Sequence, residues 1–339
     1  MTQTLVTGGS GFVGQHLVAT LLARGNRVRI LDIRSPERAA SVAQYVRGSV
    51  LDPALVREAL DGIEEVYHLA ALPGMWMPRK VDFHDVNCRG TEVVLAAARE
   101  RGVRRFLHCS TESILFGRPN SEPVVSELTR TTLDEMPGLY TRSKMLAEQL
   151  ALQAAASGMP VVIANPSMPI GPHRHLTPPT EMLRYFLKRR LQVYVDFILN
   201  LVDVRDVAAG LVLAMERGQV GQRYILGGED LSMRKLLDNL AALSGHAAFR
   251  IPFPRELAQA IAATMEFIAD HVTHRPPAAT VEGVRIASRS KALSIEKSRR
   301  ELGYVPRPIE QALRDVIATV LAEPIKSRYP SAASYKSEF

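Results

Sequence analysis

Tyr140 and Lys144 stand four residues apart in Tyr140-Thr141-Arg142-Ser143-Lys144, within a stretch of helical periodicity, so they share one helix face. A phenol with an ordinary pKa of about 10 is a poor base at neutral pH, and a neighbouring ammonium favours its phenolate. Such a pair could move a proton to or from a substrate oxygen. Alone, the spacing is common on ordinary helix faces. Its weight comes from a second constellation near the start of the chain.

Thr7-Gly8-Gly9-Ser10-Gly11-Phe12-Val13-Gly14 lies between a β-rich run at 4–6 and a helical pattern at 12–22. In a strand–turn–helix context the first glycine, Gly8, permits a tight turn. Gly11 lets the backbone approach a pyrophosphate, and Gly14 lets helix pack closely on strand. The helix start at Phe12 and Val13 then offers N–H groups and positive dipole to phosphates. Asp32 ends the second strand, about 20 residues beyond the turn, where a carboxylate bonds the adenosine ribose. Its charge disfavours a 2′-phosphate, partly offset by Arg34 and Arg38. NAD is therefore the expected cofactor, with NADP as the alternative.

The elements that must position these residues alternate along the chain. Strands are expected at 28–31, 66–69, 106–109 and 161–163, with helices at 53–60, 91–99 and 140–156. This alternation implies βαβ units and an α/β fold, a Rossmann doubly wound parallel sheet. Residues 1–165 would form the dinucleotide-binding domain. Residues 166–325 would form an interleaved, smaller mixed α/β substrate-binding region, with 200–230 returning strands to the core. The polar tail 326–339 is expected to be poorly ordered. An amphipathic helix is expected at 257–272, where Glu266 and Asp270 argue against a membrane span.

Composition excludes several classes. The 339 residues contain two cysteines, Cys88 and Cys109, without metal-ligand spacing or a disulfide framework. A reducing cytoplasm is the expectation, because the chain enters a strand at once and shows no apolar run of spanning length. The formal charge is +7, carried by short, separated basic clusters such as Lys188-Arg189-Arg190. No nucleic-acid motif accompanies them, so nucleic acid is not an expected partner. Contact with a membrane surface stays open.

The motifs TGGSGFVG (from Thr7), HLAAL (from His68), VNCRGT (from Val86), STES (from Ser110), YTRSK (from Tyr140), NPSMPIGP (from Asn165) and LVDVRDVA (from Leu201) carry a resemblance. The chain resembles an extended short-chain dehydrogenase/reductase of the NAD-dependent epimerase/dehydratase superfamily. It is most similar to the dihydroflavonol reductase, 3β-hydroxysteroid dehydrogenase and hopanoid-associated epimerase group. The resemblance implies that Tyr140 is the acid/base and that Lys144 holds the nicotinamide ribose and lowers the pKa of Tyr140. A Ser or Thr after the fourth strand would orient the substrate oxygen. Counting from the strand gives Thr111, whereas counting back from Phe116-Gly117 gives Glu112. Thr111 is preferred because strand register is fixed by sheet pairing. Glu112 is expected to be a solvated loop residue, with a dehydratase-like acid as the alternative. The same resemblance places Leu69, Ala70 and Ala71 under the cofactor, Asn87 in support, and Pro166 and Ser167 at the nicotinamide carboxamide. Ser49 and Val50 stand on the adenine side, where relatives carry an aspartate. A homodimer is carried over from the same family.

Three functions compete: ketone/alcohol oxidoreduction on an apolar or lipid-like molecule, nucleotide-sugar epimerisation or dehydration, and non-catalytic dinucleotide binding. The intact Thr111, Tyr140 and Lys144 set weighs against the third. The stretch 193–198 lacks the arginine that would clamp a nucleotide-sugar pyrophosphate. Met75, Trp76, Met77, Met168, Ile170, Leu176, Met182, Tyr185 and Phe186 are expected to flank the cleft and favour a hydrophobic small-molecule substrate. His173 and His175 share the same loop.

Overall fold

The computed structural model describes residues 2–35, 43–117, 122–172 and 177–322. Arg38, His173, His175, Leu176 and the tail at 326–339 lie outside the described residues. The first half contains β1 (Gln3–Thr7), α1 (Phe12–Ala23), β2 (Arg27–Asp32), β3 (Gln44–Arg47), α2 (Pro53–Ala59) and β4 (Glu65–His68). A π-helical stretch, Phe83–Arg89, leads into α3 (Gly90–Glu100) and β5 (Arg105–Cys109). After the 3-10 turn Glu112–Leu115 come β6 (Val124–Val125), α4 (Leu139–Ala156) and β7 (Val161–Pro166).

The second half continues with β8 (Met168–Ile170), α5 (Pro178–Leu187), β9 (Leu191–Tyr194), β10 (Ile198–Asp203), α6 (Val204–Arg217) and β11 (Arg223–Leu226). It ends with β12 (Glu229–Ser232), α7 (Met233–Ser244), β13 (Phe249–Pro252), α8 (Arg255–Ile268), α9 (Val281–Arg289), β14 (Ala292–Leu293) and α10 (Ile309–Ala322).

Seven strands form one parallel sheet in the order β11-β7-β5-β4-β1-β2-β3. Its central strands read as apolar runs because both faces are covered: Leu5, Val6, Val66, Phe106, Leu107 and Val161 to Ala164 are fully buried. Core residues of α1 and α6 cover one face; those of α2, α3 and α4 cover the other. The chain winds outward from β1 to β3, then crosses back to β4 and winds the other way. That switch point opens a crevice beyond the carboxyl ends of β1 and β4, where Rossmann folds bind their ligands.

A second layer, β12-β10-β8 with α5, α7 and α10, has its own core around Leu201, Leu236 and Leu313. Ile170 and Phe186 belong to that core, with Met168 and Met182 packed against it. The expectation that these four side chains flank a substrate cleft is therefore corrected. Burial against α7 and α10 accounts for their apolar character. Neither β3, a half-exposed edge strand with little apolar content, nor the π-helical stretch before α3 was legible from residue pattern.

Gly14 is sterically fixed by this architecture. A Cβ there would lie 2.2 Å from the Gly8 carbonyl oxygen and 2.8 Å from the Gly9 Cα, both backbone. Gly14→Ala should cost about 1–3 kcal/mol in denaturant unfolding and weaken NAD binding by more than tenfold in a fluorescence titration.

Candidate active site

Gly8 takes a positive φ of 72° and lies against the chain leaving β4: a Cβ would stand 2.7 Å from the Ala70 nitrogen. Two backbones thus meet under the turn, as close approach to a dinucleotide requires. Gly11 is the N-cap of α1 and supplies no side-chain cap. Asp32 is buried; its carboxylate accepts from the Ser10 and Arg34 backbone N–H groups, both at 3.0 Å. The buried Ser10 hydroxyl has no hydrogen-bond partner among the described residues. The same holds for the Ser167 hydroxyl, just beyond Pro166 at the end of β7.

Ser49 and Val50 divide. The Ser49 hydroxyl accepts from the Leu51 N–H at 3.2 Å, and Val50 is buried in the sheet's second core.

Beneath the crevice a neutral histidine ties the strands to α3. The Thr91 hydroxyl donates to the Asn87 carbonyl at 2.6 Å, so its oxygen accepts from the His68 Nε2 at 3.0 Å. This leaves His68 Nδ1 to accept from the Thr7 hydroxyl at 2.7 Å. Burial pushes the His68 pKa down to about 3, consistent with that single tautomer. Asn87 then links the loop after β4 to α4: its amide oxygen accepts from the Leu72 N–H at 2.7 Å, and its nitrogen donates to the Ser143 hydroxyl at 3.0 Å.

The structure brings Thr111, Glu112, Tyr140 and Lys144 together at the end of β5. Thr111 caps the 3-10 turn, accepting from the Ser113 N–H at 3.2 Å, and its hydroxyl donates to the Glu112 carboxylate at 3.2 Å. Asn165 fixes Thr111 from behind, donating to its carbonyl at 3.1 Å and to Glu148 at 2.8 Å. Glu148 in turn is paired with Arg223.

Two expectations are corrected here. Glu112 is buried rather than solvated, and its burial pushes the carboxyl from 4.5 to about 7. Lys144 is buried and donates to the Cys109 carbonyl at 2.8 Å. The Tyr140 phenol responds chiefly to burial and then to Glu112, both of which raise its pKa above the ordinary value; Thr111 opposes them. The expected lowering by Lys144 is absent from the dominant influences.

Sequence reasoning missed Glu282. The helix α4 starts at Gly138, which has no side chain to cap it. Glu282, from α9, supplies the cap: its carboxylate accepts from the Tyr140 N–H at 3.1 Å, the Thr141 N–H at 2.8 Å and the Thr141 hydroxyl at 2.7 Å. A Cβ on Gly138 would lie 2.4 Å from the Glu282 Cδ, so the glycine makes room for the distant carboxylate. A helix start without a local capping residue was the available signal.

A glycine turn at the switch point and a Tyr–Thr–Lys group at the end of β5, with Thr111 and Lys144 buried and Tyr140 half-buried, define a dinucleotide-binding oxidoreductase fold. A sequence profile described as the NAD dependent epimerase/dehydratase family matches residues 4–227. The chain belongs to that family, as an extended short-chain dehydrogenase/reductase, and its cofactor is NAD. It is similar to "Sterol demethylase protein B" of Methylococcus capsulatus, 33% identical over 93% of this chain and 97% of the relative. It is also similar to the 4-hydroxy-2-methyl-3-oxo-4-farnesyl-3,4-dihydroquinoline-1-oxide ketoreductase of Stigmatella aurantiaca, 32% identical over 93% and 95%. The crystal structure of gox2253 superposes with a TM-score of 0.80 at 31% identity, over 96% of this chain and all of that one.

The residues fit NAD. The Gly8–Gly14 cradle admits no side chain at its tightest points, and the buried Ser10 and Ser167 hydroxyls flank the same crevice.

Two outcomes follow. Glu282→Ala should cost about 1–3 kcal/mol by leaving buried donors unpaired, and Gly138→Asp in that background should recover part of it in denaturant melts. Glu112 holds its proton more tightly when folded, so the folded state binds more protons between pH 4.5 and about 7. Its contribution to stability therefore falls as pH rises through that window. Glu112→Gln should flatten this slope and raise the melting temperature at pH 8 relative to wild type.

Proposed function

We propose that the protein interconverts a ketone and a secondary alcohol on an apolar, lipid-like substrate. The observation that carries this reading is that Thr111, Tyr140 and the buried Lys144, anchored on the Cys109 carbonyl, converge at the end of β5. NAD supplies hydride chemistry when bound. Thr111 would hold the substrate oxygen against the phenol, and Tyr140 would pass its proton to that oxygen as negative charge develops there. A phenol whose pKa is raised keeps its proton at neutral pH, which supports the donor role in ketone reduction. Lys144, anchored on the Cys109 carbonyl, would hold the nicotinamide ribose and keep a positive charge behind the site.

The surroundings of Tyr140 support an apolar substrate. Its ring packs against a cluster of Leu72, Met77, Phe83 and Val86, with Phe83 edge-on at 6.3 Å. The names of the two relatives above, one sterol-related and one a ketoreductase of a farnesylated molecule, point the same way.

Glu112 favours one second reading. A buried carboxyl near half-protonation beside the phenol suits the extra proton transfer of a dehydratase or epimerase. The two readings part on a single comparison. Tyr140→Phe should lower kcat for NADH-dependent reduction of a long-chain or polycyclic ketone by roughly 10²–10⁴-fold, with NADH affinity nearly unchanged. Glu112→Gln should leave that reduction within about tenfold of wild type, a far smaller loss than deletion of a direct proton donor. Loss of activity in Glu112→Gln, together with turnover of a nucleotide sugar, would favour the second reading.

A further inference from the structure

Helix α8 lies on the surface with an uncovered apolar face. Of its fourteen residues, all described, only Ala262 is buried. Leu257, Ile261, Met265 and Ile268, followed by Val272 on the next turn, recur at spacings of four, four, three and four, and so line one side. Leu257 is 54% exposed and Val272 68%. Phe267, 61% exposed, extends the same outer surface.

The segment before α8 adds a second apolar face. The parallel pairing of β9 with β13 sets Leu191 beside Phe249 and Val193 beside Ile251. By strand alternation all four point to one side, and all four are exposed. Phe253 and Pro254 join this face to α8, the corner being held by the Phe253 N–H on the Tyr194 carbonyl at 2.7 Å and by Arg255 on the Asp196 carbonyl at 2.8 Å.

This surface belongs to the shell around the site. The Asp270 carboxylate, just after α8, accepts from the Trp76 indole at 2.6 Å and from Lys80 at 2.8 Å, both on the chain following β4. Helix α8 packs on α9, whose Glu282 caps the helix carrying Tyr140. The charges at the edges are basic: exposed Lys188, Arg189 and Arg190 lead directly into Leu191, and Arg255 and Arg275 stand at either end of α8 with His271 and His274. The acids there are Glu256 and Asp196, both exposed, the half-buried Glu266, and Asp270, which is engaged by Trp76 and Lys80, while Asp238 is paired with Arg250.

An apolar helix face with a cationic border matches a bilayer interface: the side chains enter the acyl boundary and the cations meet anionic headgroups. A second copy of the chain would bring the same cations to the contact, where headgroups of opposite sign neutralise them. We infer that the face of α8 and the β9–β13 pair docks on an anionic lipid bilayer and places the cleft where an apolar substrate can enter from the membrane. The docking stands on the surface alone; the entry route rests on the apolar-substrate reading.

Flotation of the full chain with vesicles of phosphatidylcholine, with and without phosphatidylglycerol, tests the docking without any substrate. Wild type should float with the phosphatidylglycerol vesicles, more than tenfold better than with phosphatidylcholine alone, and less at high salt. Ile261→Ser/Phe267→Ser/Ile268→Ser should lose that binding while keeping wild-type NADH affinity and melting temperature. Lys188→Glu/Arg189→Glu/Arg190→Glu should lose the preference for phosphatidylglycerol. Failure to float with either vesicle, or unchanged flotation of both variants, overturns the proposal. So does a dimer in light scattering that the apolar substitutions dissociate without any vesicle binding in wild type, which would assign the face to a second copy. A failed ketone assay would leave the flotation result standing, so the two readings fail separately.

Discussion

Everything in the site depends on two backbones meeting where the sheet reverses direction. At the switch point Gly8 presses on the Leu69–Ala70 peptide with no side chain between them, and Gly14 presses on Gly8 in the same way. A side chain at either glycine would collide with backbone, so the close seating of β1, β4 and α1 requires both. The Thr7–His68–Thr91 hydrogen bonds extend that unit downward into α3, and Asn87 extends it sideways to α4. The crevice is thus shaped by constraints that lie below it, before any ligand group is considered.

Dryness is the second determinant. Burial acts on five groups here against the charged form: it raises Glu112 and Tyr140 and lowers Lys144, His68 and His108. The site therefore stores protons on its acids while keeping its imidazoles neutral. A phenol in that setting keeps its proton more tightly than one in water. Glu112, with its pKa near neutrality, is the group whose charge changes most readily in this neighbourhood.

The later part of the chain does more than cover the cleft. Glu282 completes the helix that carries Tyr140, and Asp270 holds the Trp76 loop, so α9 and the end of α8 are tied by hydrogen bonds to the elements around Tyr140. A capping carboxylate borrowed from a distant helix makes the start of α4 sensitive to how that hairpin is seated.

What the sequence determined by itself was local in origin. The glycine turn, Asp32, the Tyr140–Lys144 spacing and the alternation of strands and helices are all written within short windows, because they follow from φ/ψ demands and from periods of two and 3.6 residues. Tertiary structure decided what those windows cannot contain. Glu112 became a buried acid because α4 and the 3-10 turn close over it, and Met168, Ile170, Met182 and Phe186 went to a second core because α7 and α10 offered them apolar surface. Glu282 reached Tyr140 across 142 positions of chain, a pairing set by where the fold seats α9 against the start of α4 and by no nearby residue. Burial and long-range pairing depend on which elements meet, and that meeting is a property of the folded molecule.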